Sequence, residues 1–85
     1  MPTDLVKYNR NYLRNPEFKR LLLEIAGQIL QLRKHKKMSQ QTLAKKIGTT
    51  QSNIARMEAG NQNFSLATLG KLAAVFGKRL EVSFK

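Results

Sequence analysis

The chain of 85 residues has no cysteine, one histidine and only five acidic residues. Without cysteine it can form neither a disulfide framework nor a thiolate metal site, and a single histidine excludes a site built on two histidines. The five carboxylates show no paired spacing suited to acid–base catalysis, and no glycine-rich phosphate loop is present. We therefore expect a protein without enzyme activity, bound metal or cofactor.

Long apolar runs are also missing. No stretch approaches the roughly 20 residues that span a bilayer, and residues 1–18 are polar and mixed, unlike a signal peptide. Hydrophobic residues make up 41% of the chain, which suffices for the modest core of one small domain. We therefore expect a cytoplasmic protein that does not contact a membrane. Such a small domain is marginally stable alone, and dimerisation is a common remedy.

Positive charge, in contrast, is abundant. The chain has 16 lysines and arginines against five acids, and its formal net charge is +11. Each phosphate that a lysine or arginine neutralises releases counterions, so this excess favours a nucleic acid as partner. A basic surface without a specific partner is the alternative that charge alone leaves open.

The first half of the chain predicts a long helix. Asn15-Pro16-Glu17 has the composition of a helix start, with a capping residue, a proline in the first turn and an acid behind it. Apolar residues then recur at three- and four-residue steps, which is the helical period. They are Phe18, Leu21, Leu22, Ile25, Ile29 and Leu32.

A second, narrower apolar stripe on this helix consists of Leu23, Ala26 and Leu30. It indicates contact with a partner chain or with the N-terminal arm, residues 1–15, although an ordinary buried helix would show the same pattern. Gly27 lowers helix propensity and predicts a bend that divides the segment into two helices.

Three shorter helices follow, each with a capping hydroxyl before it and a glycine after it. They run from Ser39 to Gly48, from Thr50 to Gly60 and from Ser65 to Gly77. With the two halves of the long helix, they predict a mainly all-α fold of five helices. The first two short helices and their tight turn, residues 39–60, have the layout with which proteins place side chains in the major groove of DNA.

The second of these short helices carries its polar residues away from its apolar positions, Ile54 and Met57. Glutamine and asparagine can pair bidentately with adenine, and arginine can pair with guanine. The exposed polar set is Thr50, Gln51, Ser52, Asn53 and Arg56.

The tail changes period. Apolar Leu80, Val82 and Phe84 alternate with polar residues over residues 79–84, which predicts a β-strand. A lone strand leaves its backbone donors and acceptors unpaired. We therefore expect the strand to pair antiparallel with the same segment of a second copy, in a two-fold homodimer.

These motifs together resemble the helix-turn-helix domain of the phage repressor/Cro family, also called the XRE family. The similarity runs from Ile29 to Phe76. Its carriers are Ile29-x-x-Leu32-Arg33, Ser39-Gln40-x-x-Leu43-Ala44, Gly48-x-x-Gln51-x-x-Ile54, Glu58-x-Gly60 and Leu66-x-x-Leu69. The resemblance implies a repressor-like DNA-binding domain, residues 16–85, that binds double-stranded operator DNA.

The resemblance also assigns roles to residues. The glutamine at the position of Gln40 binds a phosphate and braces the recognition helix in that family, while the position of Asn53 lies near the backbone or base edges. We predict that bases are read by Gln51, Ser52, Asn53 and Arg56. The predicted contacts to the DNA backbone are Gln40, Lys45, Thr50, Asn61 and Asn63.

Two further positions bear on structure. The family often pairs an arginine like Arg33 with a glutamate like Glu58, which ties the first helix of the domain to the recognition helix. It also often has glycine near the position of Lys37, where this chain departs from the pattern.

The flanks resemble antitoxins of the HigA type, which share the leading Asn15-Pro16-Glu17-Phe18 and the long first helix. The final strand also resembles the tail of HipB-type antitoxins, which pair these strands in a dimer. The resemblance implies a prokaryotic protein that neutralises a toxin, typically a ribonuclease, and represses its own operon in the nucleoid. The predicted toxin-binding residues are Leu5, Tyr8, Tyr12, Leu13 and Leu23. A stand-alone phage-type repressor is the alternative.

Overall fold

The computed structural model describes residues 15–84, which form four α-helices joined by short loops. These are α1 (Pro16–His35), α2 (Gln40–Ile47), α3 (Gln51–Glu58) and α4 (Leu66–Phe76). α1 contacts α3 and α4, and α2 also contacts α3 and α4. None of the helices in this described part of the chain combines the length and apolarity needed to cross a bilayer.

Each helix begins at a polar side chain that accepts a backbone hydrogen bond from its first turn. The capping residues are Asn15, Ser39, Thr50 and Ser65, as the sequence predicts. Asn15 Oδ1, for example, accepts from the N–H of Glu17 at 2.8 Å. These caps satisfy donors that the helix itself leaves unpaired, so the helix starts are set by local chemistry.

All four helices end in the same way. After each last turn one residue takes a left-handed conformation, and two backbone N–H groups bond back to carbonyls of that turn, as in a Schellman motif. The left-handed residues are Lys37, Gly48, Gly60 and Gly77, with φ of 55°, 76°, 73° and 65°. Lys37 therefore occupies a position that favours glycine, which is the point where this chain departs from the family pattern.

The core lies where the four helices meet. Leu43 of α2 and Ile54 of α3 are completely buried. The cluster around them contains Ile29, Ala44, Ile47, Met57, Leu72 and Phe76. Since α2 and α3 each have only eight residues, their position depends on these buried side chains more than on helix propensity.

The prediction of five helices is wrong for the described residues, because α1 continues through Gly27 without a break. Glycine inside a helix costs about 1 kcal/mol relative to alanine. Leu22 and Ala26 before it and Ile29 after it are buried, and their burial on one continuous helix outweighs that cost.

Burial on α1 does not follow the two predicted apolar stripes. Ala26, assigned to the second stripe, is only 1% exposed, whereas Leu21 of the first stripe is 50% exposed. Leu23 is 58% exposed and rests on Gly60, where an added Cβ would lie 2.6 Å from Leu23 Cδ2. Gly60 thus meets two requirements, a left-handed backbone and a close approach to α1.

The predicted strand at residues 79–84 is not formed, since no β-ladder occurs anywhere between residues 15 and 84. A strand requires a hydrogen-bonded neighbour, and the four helices supply no extended segment that could pair with it. Leu80, Val82 and Phe84 are exposed in the single chain.

The end of α1 yields a prediction about stability. The left-handed conformation costs a residue with a Cβ about 1–2 kcal/mol. Glycine avoids this cost, but it loses more backbone entropy on folding, which offsets part of the gain. Lys37→Gly should therefore raise the free energy of unfolding by about 0.5–1 kcal/mol, as measured by urea denaturation. The control is Lys36→Gly, because Lys36 has a φ of −81° and gains nothing from glycine. A Lys37→Gly variant no more stable than the natural chain would show that the turn is unstrained.

Candidate nucleic-acid interface

The turn between α2 and α3 sets the geometry of the candidate interface. Gly48 takes the left-handed conformation, and the N–H of Thr49 donates to the carbonyl of Ala44 at 2.9 Å. Ala44 is buried and small, which lets the two helices pack closely at the turn. Ile54 and Met57 are buried below α3, so its polar residues are left on the opposite, outer side.

The structure places the nine predicted DNA-binding residues as follows. Exposed to solvent are Lys45, Thr50, Gln51, Ser52, Arg56, Asn61 and Asn63. The other two, Gln40 and Asn53, are partly buried. The recognition helix therefore presents amide, hydroxyl and guanidinium groups outward, as the sequence predicts.

The electrostatics of this face favour an anion. The first turns of α2 and α3 contain no acidic residue of their own, which favours an anion at the positive ends of the two helix dipoles. Lys45 and Lys46 are exposed in the last turn of α2. Backbone amides at helix starts and nearby lysines are the groups that commonly contact phosphates of DNA.

An ion pair joins α1 to the end of α3. Arg33 donates from Nε and Nη2 to the two carboxylate oxygens of Glu58, and from Nη1 to the carbonyl of Met38 at 2.8 Å. The side chains of Arg33 and Glu58 are only 12% and 6% exposed. The hydrogen bond to Glu58 raises the pKa of Arg33 above its ordinary value, so the guanidinium stays charged. The pairing that the resemblance implies is therefore present.

The Glu58 carboxylate is also linked by hydrogen bonds to side chains on the exposed side of α3. Gln40 Nε2 donates to Glu58 Oε1 at 3.0 Å, and this contact orients the Gln40 amide. Gln51 Nε2 then donates to Gln40 Oε1 across 3.5 Å, which is a long and weak hydrogen bond. A line of contacts thus runs from the partly buried Arg33 to the exposed Gln51.

A second row of hydrogen bonds includes a residue that the sequence reasoning missed. Asn53 Nδ2 donates to the Thr49 hydroxyl at 2.7 Å, and Arg56 Nη2 donates to Asn53 Oδ1 at 2.8 Å. Thr49 was not among the predicted site residues. Thr49 lies before the capping residue Thr50 and thus outside α3, so the helical period of the sequence gives no signal for this contact.

The predicted toxin-binding residues can be placed only in part. Leu23 is exposed on α1. Leu5, Tyr8, Tyr12 and Leu13 lie outside the described residues, as does most of the N-terminal arm.

The ion pair between α1 and α3 yields a prediction about stability. Glu58→Ala should lower the free energy of unfolding by about 3 kcal/mol, because Arg33 would keep a mostly buried charge without its partner. Glu81→Ala is the matched control, since Glu81 pairs with Arg79 where both side chains are largely exposed, 73% and 87%. Its effect should stay below about 1 kcal/mol. Equal effects of the two substitutions on urea denaturation would contradict the structural role of Glu58.

Comparison with known proteins agrees with this geometry. No curated protein and no solved structure matches the chain. The family model HTH_3, described as Helix-turn-helix, matches residues 29–82, which is more than half of the chain and includes all of α2, α3 and α4. The chain therefore belongs to the XRE-type helix-turn-helix family of DNA-binding transcription regulators.

Proposed function

We propose that this regulator is an antitoxin: a homodimer that represses its own operon and neutralises a partner toxin of the ribonuclease class. It acts in the cytoplasm of a prokaryote, on operator DNA of the nucleoid, and by binding alone, without an enzymatic step. The observation that carries the DNA-binding part is the outward polar face of α3 above its buried Ile54 and Met57.

The chemistry of that face supports sequence-specific reading. With α3 in the major groove, the Gln51 amide is suited to adenine and the Arg56 guanidinium to guanine. Gln40, Lys45 and Thr50 surround α3 and are suited to phosphate contacts, which fix its register on the duplex. The formal net charge of +11 adds a sequence-independent attraction.

The dimer is supported by the tail. Leu80, Val82 and Phe84 are exposed, and the segment keeps the alternation of a strand. Pairing with the tail of a second copy would satisfy its backbone groups and place two copies of α3 at half-sites one helical turn, about 34 Å, apart. A chain that sediments as a monomer at the concentration at which it binds its operator would contradict this dimer.

The antitoxin role is supported by apolar surface away from α3. Leu21 of α1 and Leu66 of α4 are at least half exposed. Both line a groove of about 700 Å³ between α1, α4 and the tail. Exposed apolar patches of this kind mark protein-binding surfaces more often than nucleic-acid contacts. The toxin would bind here and on the N-terminal arm, so that α3 remains available to DNA.

A stand-alone phage-type repressor is the second candidate. It uses the same α3 face and the same dimer, and it requires no toxin partner. The two candidates therefore differ in one measurable property, the neutralisation of a toxic protein encoded beside the regulator's own gene.

Operator reading yields the first functional prediction. Arg56→Ala should weaken binding to the operator by about 1–3 kcal/mol and reduce selectivity at one base pair. Lys45→Ala is the control, since loss of a phosphate contact should weaken operator and random DNA alike and lower the salt dependence. Fluorescence anisotropy with both duplexes at fixed salt measures the difference. An equal loss on both duplexes for Arg56→Ala would argue against base reading.

Toxin neutralisation yields the second functional prediction. Deletion of residues 1–14, which keeps Asn15 as the cap of α1, should spare operator binding and abolish rescue of growth from the toxin of the adjacent reading frame. A second variant replaces Leu5, Tyr8, Tyr12 and Leu13 by serine and keeps the chain length. It should behave like the deletion if the apolar side chains, rather than the length of the arm, bind the toxin. Full rescue by both variants would place the toxin surface elsewhere. A neighbouring gene whose product is not toxic would favour the stand-alone repressor.

A further inference from the structure

We infer that Asn53 acts on operator recognition through Arg56: it is a positioning residue that holds the guanidinium, and Thr49 holds Asn53 in turn. The inference rests on the proposed DNA-reading role of α3. It changes the part played by Asn53, which the sequence predicts as a reader of bases.

Asn53 and Arg56 of α3 form a continuous row with Thr49, which lies in the turn before the helix. Thr49 accepts from Asn53 at 2.7 Å, and Asn53 accepts from Arg56 at 2.8 Å. The backbone N–H of Thr49 donates in turn to the carbonyl of Ala44 at 2.9 Å. The row thus begins at a residue bonded to α2 and ends at an exposed guanidinium, and its two helical members, three residues apart, are neighbours on α3.

The hydrogen bonds of Asn53 leave its amide poorly placed for a base. A bidentate contact with adenine requires the amide oxygen and nitrogen to face the base edge together. In this chain the nitrogen bonds to Thr49, four residues back, and the oxygen bonds to Arg56, three residues ahead. Both amide atoms of Asn53 therefore already have a partner within the chain, and the bond with the charged arginine is of the stronger kind.

Arg56 keeps enough hydrogen-bonding capacity to read guanine. An arginine has five N–H donors, and the bond to Asn53 uses a donor on Nη2 only. The other donors suffice for the two parallel bonds that guanine O6 and N7 accept. A guanidinium restrained before binding also loses less side-chain entropy when it contacts the base. Asn53 thereby raises the selectivity of Arg56 without touching the base.

Gln51 on the same helix shows the contrast. It is exposed, and its one side-chain hydrogen bond among residues 15–84 is the 3.5 Å bond from Nε2 to Gln40 Oε1. Its amide oxygen therefore has no competing partner of the kind that Asn53 has in Arg56. Gln51 can turn both amide atoms toward adenine at little cost, so it remains a base reader.

The test is a comparison of base-pair preferences. The operator consensus is first selected from random double-stranded DNA with the natural full-length chain. Binding is then measured to that operator and to all its single base-pair variants, for the natural chain and for Arg56→Ala, Asn53→Ala, Asn53→Asp and Thr49→Val. Arg56→Ala identifies the base pair that Arg56 reads, where its selectivity should fall roughly 5- to 150-fold.

Asn53→Ala should lower selectivity at that same base pair, by about fivefold or more, and leave the other positions unchanged. Asn53→Asp should restore the selectivity at that base pair, because the carboxylate still accepts from Arg56. Thr49→Val keeps the size of Thr49 but removes its hydroxyl, so it should lower the selectivity at that base pair as Asn53→Ala does. A variant that fails to fold would lose affinity for all DNA sequences alike. A loss of selectivity at a single base pair therefore indicates that the orientation of Arg56 has changed.

The contrary results are equally clear. If Asn53→Ala changes preference at a base pair that Arg56→Ala leaves intact, Asn53 reads a base itself and the inference is wrong. If Asn53→Ala changes no preference, Arg56 needs no positioning and the inference is also wrong. Gln51→Ala is the matched control, and it should affect a different base pair. Failure of the natural chain to select any consensus would instead overturn the proposed function.

Discussion

The ion pair between Arg33 and Glu58 is the interaction on which the rest of the site depends. It joins the last turn of the long helix to the last residue of the recognition helix, where few solvent molecules compete for the charges. Because the carboxylate also accepts from Gln40, one buried acid connects all three elements that surround the DNA-reading face. A recognition helix of eight residues would not hold this position by its own propensity.

The exposed side of the recognition helix takes part in two rows of hydrogen-bonded side chains, and the two rows differ in the length of their hydrogen bonds. Gln51 donates a long hydrogen bond to Gln40, whereas Arg56 donates a short one to Asn53, which in turn donates a short one to Thr49. The first row leaves the Gln51 amide with one long bond, and the second gives the Arg56 guanidinium a short one. On the proposed function, the helix would combine one adaptable contact with one preorganised contact.

A second surface of the domain differs from this face in its chemistry. The groove between α1, α4 and the tail is apolar, whereas the face of α3 is polar and adjoins basic residues of α2. On the proposed function, the groove would serve a protein partner and the face of α3 would serve DNA, since the two kinds of contact use different physical forces. Leu23 lies between the two, on Gly60 at the end of the recognition helix. A partner that contacts Leu23 would therefore touch the backbone next to the DNA-reading element.

What the sequence by itself determined was mainly local: the capped start of each helix in the structure, the glycine ends of the three short helices and the apolar residues of α3. The pairing of Arg33 with Glu58 came from family resemblance. Caps and left-handed turns involve neighbours only a few residues apart, so their signals are visible in the letters. Tertiary structure alone decided that α1 runs through Gly27, that Ala26 is buried while Leu21 is not, and that residues 79–84 form no strand in one chain. The tertiary structure also showed that both the nitrogen and the oxygen of the Asn53 amide form hydrogen bonds. These outcomes depend on which surfaces meet, because burial and unpaired backbone groups are energies of contact between distant segments rather than properties of any residue.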